Sequence, residues 1–329
     1  MAALAEFRPR WCRIAAIAFL MVAFAPITWL RAEPPDIRDA PLWITRVQSD
    51  LPDRGAGLHG LRREGIWRLW SEHGDFGGYS AILLLKDRIR LFSDRGNRLT
   101  MSLPDEPGPI ASKFAAVWNR GYLSGFYPDI ESATRDPVSG KYWLGFESQN
   151  SLLRYDRASN LEAATRPPDW RNWPSNRGPE AMTRLADGRF IVLPENNGDG
   201  LLYRIDPVEG GQPVRFRAVL PDSFRPTDMT TLPDGRVILL VRRMAVAYPP
   251  FTARLLLGDP EEIRAGEEWV LDELADLDAI VPRENYEGLA IAAQPDGRLA
   301  LWLVSDDNLA VAIQRTLLVK LTWNPADAP

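Results

Sequence analysis

The chain has 329 residues, 45% hydrophobic and 25% charged, with a formal net charge of -5 and a pI near 5.3. That length and composition build a large soluble core and exclude an intrinsically disordered chain, and the acidic balance lacks the basic patch or stripe of a nucleic-acid binder. A cationic ligand or a metal ion is the better electrostatic match.

Arg8, Arg10 and Arg13 precede an apolar run from Ile14 to Leu30, broken only by Pro26 and Thr28. This is the layout of an export signal. The run, about 17 residues, is at the short limit for crossing a bilayer. Leu30 occupies the place where cleavage after Ala32 calls for a small residue. Residues 1–32 therefore read as a signal peptide or as an uncleaved anchor. Both readings put the remainder outside the cytoplasm, in the periplasm or fastened to the inner membrane, with the membrane touched only through this segment. Cys12, the single cysteine, lies inside it, so the exported part offers no disulfide, thiol nucleophile or thiolate ligand. Residues 33–40, with Pro34 and Pro35, read as a linker, and 41–329 as one domain.

Two strands open the domain, Leu42 to Val47 and Leu61 to Trp70, around a polar loop holding His59. A unit then recurs: an acidic or hydroxyl residue opens a short apolar strand, a turn reverses the chain, and a second strand ends in an acid. The first copy runs from Gly77-Gly78-Tyr79-Ser80 to Ser93-Asp94-Arg95-Gly96-Asn97, and the second from Asp129-Ile130-Glu131 to Glu147. The third runs from Gly178-Pro179-Glu180 to Glu195. The fourth starts at Pro226-Thr227-Asp228 and ends on Arg242-Arg243, a basic pair where other copies carry an acid. The fifth runs from Asn285-Tyr286-Glu287-Gly288 to Ser305-Asp306-Asp307-Asn308, followed by a late strand from Leu317 to Trp323. The tract from Asp259 to Asp278 reads as an insertion, a short helix or a solvated loop. Asp187-Gly188, Asp234-Gly235 and Asp296-Gly297 read as hairpin turns.

The opening residues Ser80, Glu131, Glu180, Asp228 and Glu287 are separated by 51, 49, 48 and 59 positions. A period near 50 with three or four strands per unit predicts an all-β propeller. Six blades are favoured, with the two early strands helping to close the ring, and five are allowed. Because strands alternate in direction, first-strand starts and second-strand ends share one end of the channel. That gathers Glu131, Glu180, Asp228 and Glu287 with Asp94, Glu147, Glu195 and Asp306 (or Asp307). So many carboxylates repel and take up protons unless cations or arginines join them. The cationic candidates are Arg95, Arg242 and Arg243. Hard oxygen ligands without a Cys or His cluster suit Ca²⁺, with Mg²⁺ second, rather than zinc or copper.

Taken together, the Gly77-Gly78-Tyr79-Ser80 and Ser93-to-Asn97 pair, Gly178-Pro179-Glu180-Ala181-Met182, and Tyr286-Glu287-Gly288-Leu289-Ala290 with Ser305-Asp306-Asp307-Asn308 resemble the exported bacterial phytase-like proteins called "esterase-like activity of phytase". The resemblance spans Asp75 to Trp323. It implies a propeller distantly related to calcium-dependent phytases, hence a metal-assisted phosphoester or ester hydrolase acting on a small anionic ester. In that reading the acids hold Ca²⁺, while Arg95, Arg242 or Arg243 stabilise charge on the phosphoryl group. A monomer is expected. Two other classes stay open: a non-catalytic ligand- or protein-binding propeller, and a lactonase-type propeller with one central metal. A serine esterase is disfavoured because no Gly-x-Ser-x-Gly elbow occurs. His59 and His73 sit in polar loops outside the repeat acids. Trp118, Trp170 and Trp173 are candidates for lining a binding surface.

Overall fold

The computed structural model describes residue 14 and residues 37–55, 58–104, 108–117, 128–174, 177–196, 198–310 and 314–329. Apart from Ile14, the expected signal or anchor segment, with Cys12, lies outside the described residues, as does Trp118.

The chain opens with β1 (Leu42–Arg46) and β2 (Arg62–Trp70). Blade 1 holds β3 (Tyr79–Leu84), β4 (Arg88–Ser93), β5 (Asn97–Ser102) and β7 (Ser112–Ala116), with β6 (Gly108–Ile110) leaving for another sheet. Blade 2 is β8 (Ile130–Arg135), β9 (Tyr142–Phe146), β10 (Ser151–Tyr155) and β11 (Leu161–Thr165). Blade 3 is β12 (Ala181–Arg184), β13 (Phe190–Leu193), β14 (Asp199–Tyr203) and β15 (Val214–Ala218). Blade 4 is β16 (Arg225–Thr231), β17 (Val237–Met244), β18 (Phe251–Gly258) and β20 (Asp272–Asp276). Between the last two, β19 (Glu268–Trp269) crosses back to pair in parallel with β15. Blade 5 is β21 (Asn285–Ala293), β22 (Leu299–Asp306) and β23 (Leu317–Trp323), extended by β2, β1 and β6. The first strands β3, β8, β12, β16 and β21 touch in sequence and back to β3, which closes the ring.

Five blades, not six, is the observed count. The early strands lack an inner partner of their own: β2 pairs with β23, from Arg62 opposite Thr322 to Arg68 opposite Leu317, so they complete blade 5. The buried apolar side chains agree, falling into five clusters, one per blade interface. The tract from Asp259 to Asp278 is also corrected. It supplies β19 and β20, which cover sheet edges that otherwise stand unpaired. Trp269 explains its course: the side chain is fully buried and its indole N–H donates to Asp259 O at 2.9 Å.

Local chemistry sets the hairpins. Asp187, Asp234 and Asp296 each accept the backbone N–H two residues on, from Arg189, Arg236 and Arg298 at 3.0–3.1 Å, and each pairs with that arginine's side chain. The intervening glycines take positive φ, as such turns require. Inner and middle strands are apolar on both faces because blades pack on either side: every residue of β9 and β13 is buried. Burying one such Leu, Ile or Phe contributes about 1.5–3 kcal/mol.

Candidate functional site

Four of the five first strands begin with one residue too many. The pairing of β3 with β4 slips at Ser80, that of β8 with β9 at Glu131, that of β16 with β17 at Thr227, and that of β21 with β22 at Glu287. A bulge of this kind leaves its extra residue out of the ladder and turns its side chain aside. In blade 3 Glu180 stands in the matching place, directly before β12. On the second strands Asp94 and Glu147 directly follow β4 and β9, Glu195 lies two residues beyond β13, Arg242 lies in β17 opposite Arg225, and Asp306 ends β22 opposite Asn285.

This alignment sorts the predicted residues. Glu131, Glu180 and Glu287 meet Asp94, Glu147, Glu195 and Asp306 around one opening, with Asp129 added from the start of blade 2. Asp228 stands apart. It is fully buried, and its two oxygens accept the Met229 N–H at 2.8 Å and the Leu289 N–H at 2.7 Å. The bulge hands its expected place to Thr227, whose hydroxyl donates to the Leu240 and Tyr286 carbonyls. Asp307 is likewise occupied, by Gly78 N–H, Leu309 N–H and the Thr316 hydroxyl.

The three arginines separate too. Arg242 joins the acids, 3.0 Å from Glu287 and 4.0 Å from Glu195. Arg95 donates to the Gly74, Phe76 and Gly77 carbonyls and clips the loop before β3. Arg243, the next residue along β17, points to the opposite side, its guanidinium over the Phe224 ring at 5.0 Å. His73 is buried, stacked on Phe114, and accepts the Asp75 N–H. His59 gives its carbonyl to the Trp323 indole. Trp170 is fully buried and stacked on Trp173, which lines a cleft of about 340 Å³ with Arg177, Glu195, Asn196 and Arg225.

Two glycine motifs follow from the crowding. Gly78, at φ +68°, lies where a Cβ would meet an Asp94 oxygen at 2.3 Å, and Gly178 where a Cβ would meet the Glu147 Cα at 2.4 Å. Only glycine lets these backbones approach the acids so closely.

Oxygens of Asp129, Glu131 and Glu147 all lie within 4.8 Å of one another. Burial, then the charges of Glu180, Glu287, Asp129 and Glu147, hold Glu131 well above the usual carboxylate range. Burial and Glu147, Glu195 and Glu287 do the same for Glu180 against the opposing pull of Arg242. Burial, with Glu287 and Asp94, raises Asp306. Burial pushes Asp94 up to about 6 and Glu147 up to about 7. Asp129 hydrogen-bonds to Glu131 and Glu147, and Glu147 to Glu180. Each carboxyl–carboxyl bond requires a proton on one partner. Protons thus do work that a cation does equally well.

Asn285 adds a neutral donor. It is 1% exposed, its amide N–H donates to Glu287 at 2.7 Å, and its Oδ1 is buried with no hydrogen-bond partner among the described residues. An all-oxygen set with an orphaned amide oxygen fits a hard divalent cation. Sequence reasoning missed Asp129 and Asn285 as site residues. Their signal was available: both stand two residues before a bulged glutamate.

A family model for phytase-like proteins, described as esterase-like activity of phytase, matches residues 74–309. No curated protein sequence matches the chain significantly. Among solved structures, a luciferin-regenerating enzyme is 12% identical with a TM-score of 0.45, the match covering 78% of this chain and 83% of that one. The glutaminyl cyclase of Myxococcus xanthus is 11% identical with a TM-score of 0.47, covering 79% and 96%. Likeness at this level carries nothing about chemistry.

Proposed function

The chain belongs to the phytase-like family, and from that premise we propose that it is an exported hydrolase of small anionic phosphate esters, assisted by Ca²⁺ at the acidic mouth of the propeller. The observation that carries the proposal is the Asp129, Glu131 and Glu147 triad inside a ring of carboxylates with which Arg242 is ion-paired. Asp129, Glu131 and Glu147 would hold the ion, and Asn285, Glu287 and Asp306 would offer a second oxygen set. A bound divalent cation supplies Lewis acidity toward phosphate oxygens and lowers the pKa of water.

The chain's own groups do the rest. Glu180, buried and held toward its protonated form, would give its proton to the leaving oxygen of the ester, and the carboxylate so formed would take up the proton that the attacking water loses. Arg242 holds Glu287 and Glu195 in place through ion pairs at 3.0 and 4.0 Å. Arg177 and Arg225, in the cleft beside Glu195, receive the anionic body of the ester, with Trp173 as one wall. These two replace Arg95 and Arg243, whose guanidinium groups are engaged elsewhere. Residues 1–32 direct export.

The test is calcium-dependent phosphate release from a panel of monoesters, with Ca²⁺ binding followed by calorimetry. Glu180→Ala and Glu287→Ala are expected to abolish release, and Glu131→Gln to weaken Ca²⁺ binding at least about tenfold. Tight Ca²⁺ binding without turnover on any ester would refute the hydrolase and assign a binding propeller.

A further inference from the structure

Strand direction places three features on the face that carries the acids. The hairpin between β17 and β18 leaves from that face, because β17 passes Arg242 and runs two residues farther to Met244 before turning. Its tip, Met244-Ala245-Val246-Ala247-Tyr248-Pro249-Pro250, carries no charge. Met244 is 74% and Tyr248 71% exposed, and Val246 is fully exposed. The neighbouring blade 5 adds a second apolar group. There β2 ends at Trp70, opposite Trp43 of β1, with the two indoles stacked at 5.9 Å and Trp70 42% exposed.

The third feature is where the chain enters. β2 ends opposite the start of β23 and β1 begins opposite the end of β2, so the polypeptide reaches the propeller on the acid-bearing face. Ile37, itself 45% exposed, is held there by its N–H to Glu72 O, and Arg38 by an ion pair with Asp75. Seven residue steps separate Ile37 from Leu30, the end of the apolar run, and they span at most about 25 Å of chain. Whatever bilayer that segment enters, this face lies next to it.

We infer that the mouth face docks on a lipid bilayer, with the Met244–Pro250 tip and the Trp43–Trp70 pair seated at its interface. Contiguous exposed apolar side chains of this kind mark binding surfaces, and Trp and Tyr favour the headgroup level of a membrane. Glu180, Glu287 and Asp306 are buried, whereas Met244, Val246 and Tyr248 at the tip are exposed. The sequence alone assigned membrane contact to the N-terminal segment; the structure adds a contact surface on the propeller. This inference does not depend on the proposed hydrolysis.

The test uses the full chain with Cys12→Ser, reconstituted in zwitterionic phosphatidylcholine–phosphatidylethanolamine vesicles. An environment-sensitive fluorophore is attached at Val246→Cys or, as control, at Val138→Cys. Val138 is 92% exposed in the turn between β8 and β9, on the opposite face. Nitroxide-labelled lipid is expected to quench position 246 at least about twofold more than position 138. Met244→Asp with Tyr248→Asp is expected to bring quenching at 246 down to the control level. Equal quenching at the two positions overturns the inference. So does a blue-shifted but unquenched label at 246, which assigns the tip to a protein neighbour.

Discussion

Arg242→Gln is the sharpest probe of the mouth. Glu287 has its carboxylate 3.0 Å from the Arg242 guanidinium, with Asn285 and Ser80 as further donors. Removing one partner of a buried pair typically costs about 3–5 kcal/mol, because the other charge stays buried and unpaired. For a domain of this size that is about 6–10 °C in Tm at pH 8 without divalent ions. The pH dependence follows from the sign of the shift. Glu287 is already raised above its ordinary value by burial, and losing Arg242 raises it further. The folded form then binds more protons than the unfolded one, so the cost vanishes below the unfolded value, near 4.5, and grows as pH rises. Differential scanning calorimetry at pH 5 and pH 8, with and without Ca²⁺, should show a large loss at pH 8, a small one at pH 5, and recovery with Ca²⁺. An equal loss at both pH values, untouched by Ca²⁺, would refute the view that Arg242 neutralises the ring.

The wild-type protein should show a milder form of the same behaviour. Asp94 moves from its ordinary 3.8 to about 6 and Glu147 from 4.5 to about 7, so cation-free stability is full below about pH 4 and declines as pH rises to 7; a Tm that climbs over that range without Ca²⁺ contradicts it. For Asp94 alone the shift corresponds to about 3 kcal/mol. Asp228→Ala strands the Met229 and Leu289 N–H groups and should cost about 2–3 kcal/mol in denaturant unfolding, while calorimetry finds Ca²⁺ affinity unchanged; a weakened affinity would return Asp228 to the site. Gly178→Ala pushes a Cβ into the Glu147 backbone, with an expected loss of about 1–3 kcal/mol and weaker Ca²⁺ binding; a silent substitution would show that the approach is not tight.

The repeat was legible because its chemistry is local. Asp-Gly turns, apolar runs and strand-opening acids all announce themselves within ten residues, and Glu131, Glu180 and Glu287 meet Glu147, Glu195 and Asp306 as the period requires. What was not legible depends on pairing. A bulge shifts register by one residue, so periodicity selected Asp228 where the structure turns Thr227 aside. The blade count failed for the same reason: only the partner of β2, some 250 residues away in the chain, shows that the early strands finish blade 5. Arg242 was legible as an exception, but its value as counter-charge depends on its reach across to Glu287 of the next blade. Arg95 and Arg243 carry the same charge and are spent on loop carbonyls and a phenyl ring.

The pairing of β2 with β23 also fixes an order of events. Blades 1, 2 and 4 are each built from one stretch of the chain, but the sheet of blade 5 is complete only when the last strand meets one near the beginning. Closing so long a loop is entropically costly and slow. Until then blade 5 lacks its outer strands and the apolar side chains of β22 that face them stay uncovered, so completion acts as a latch. A chain cut short before Leu317 has every mouth acid in its sequence but no strand to join β22 to β2.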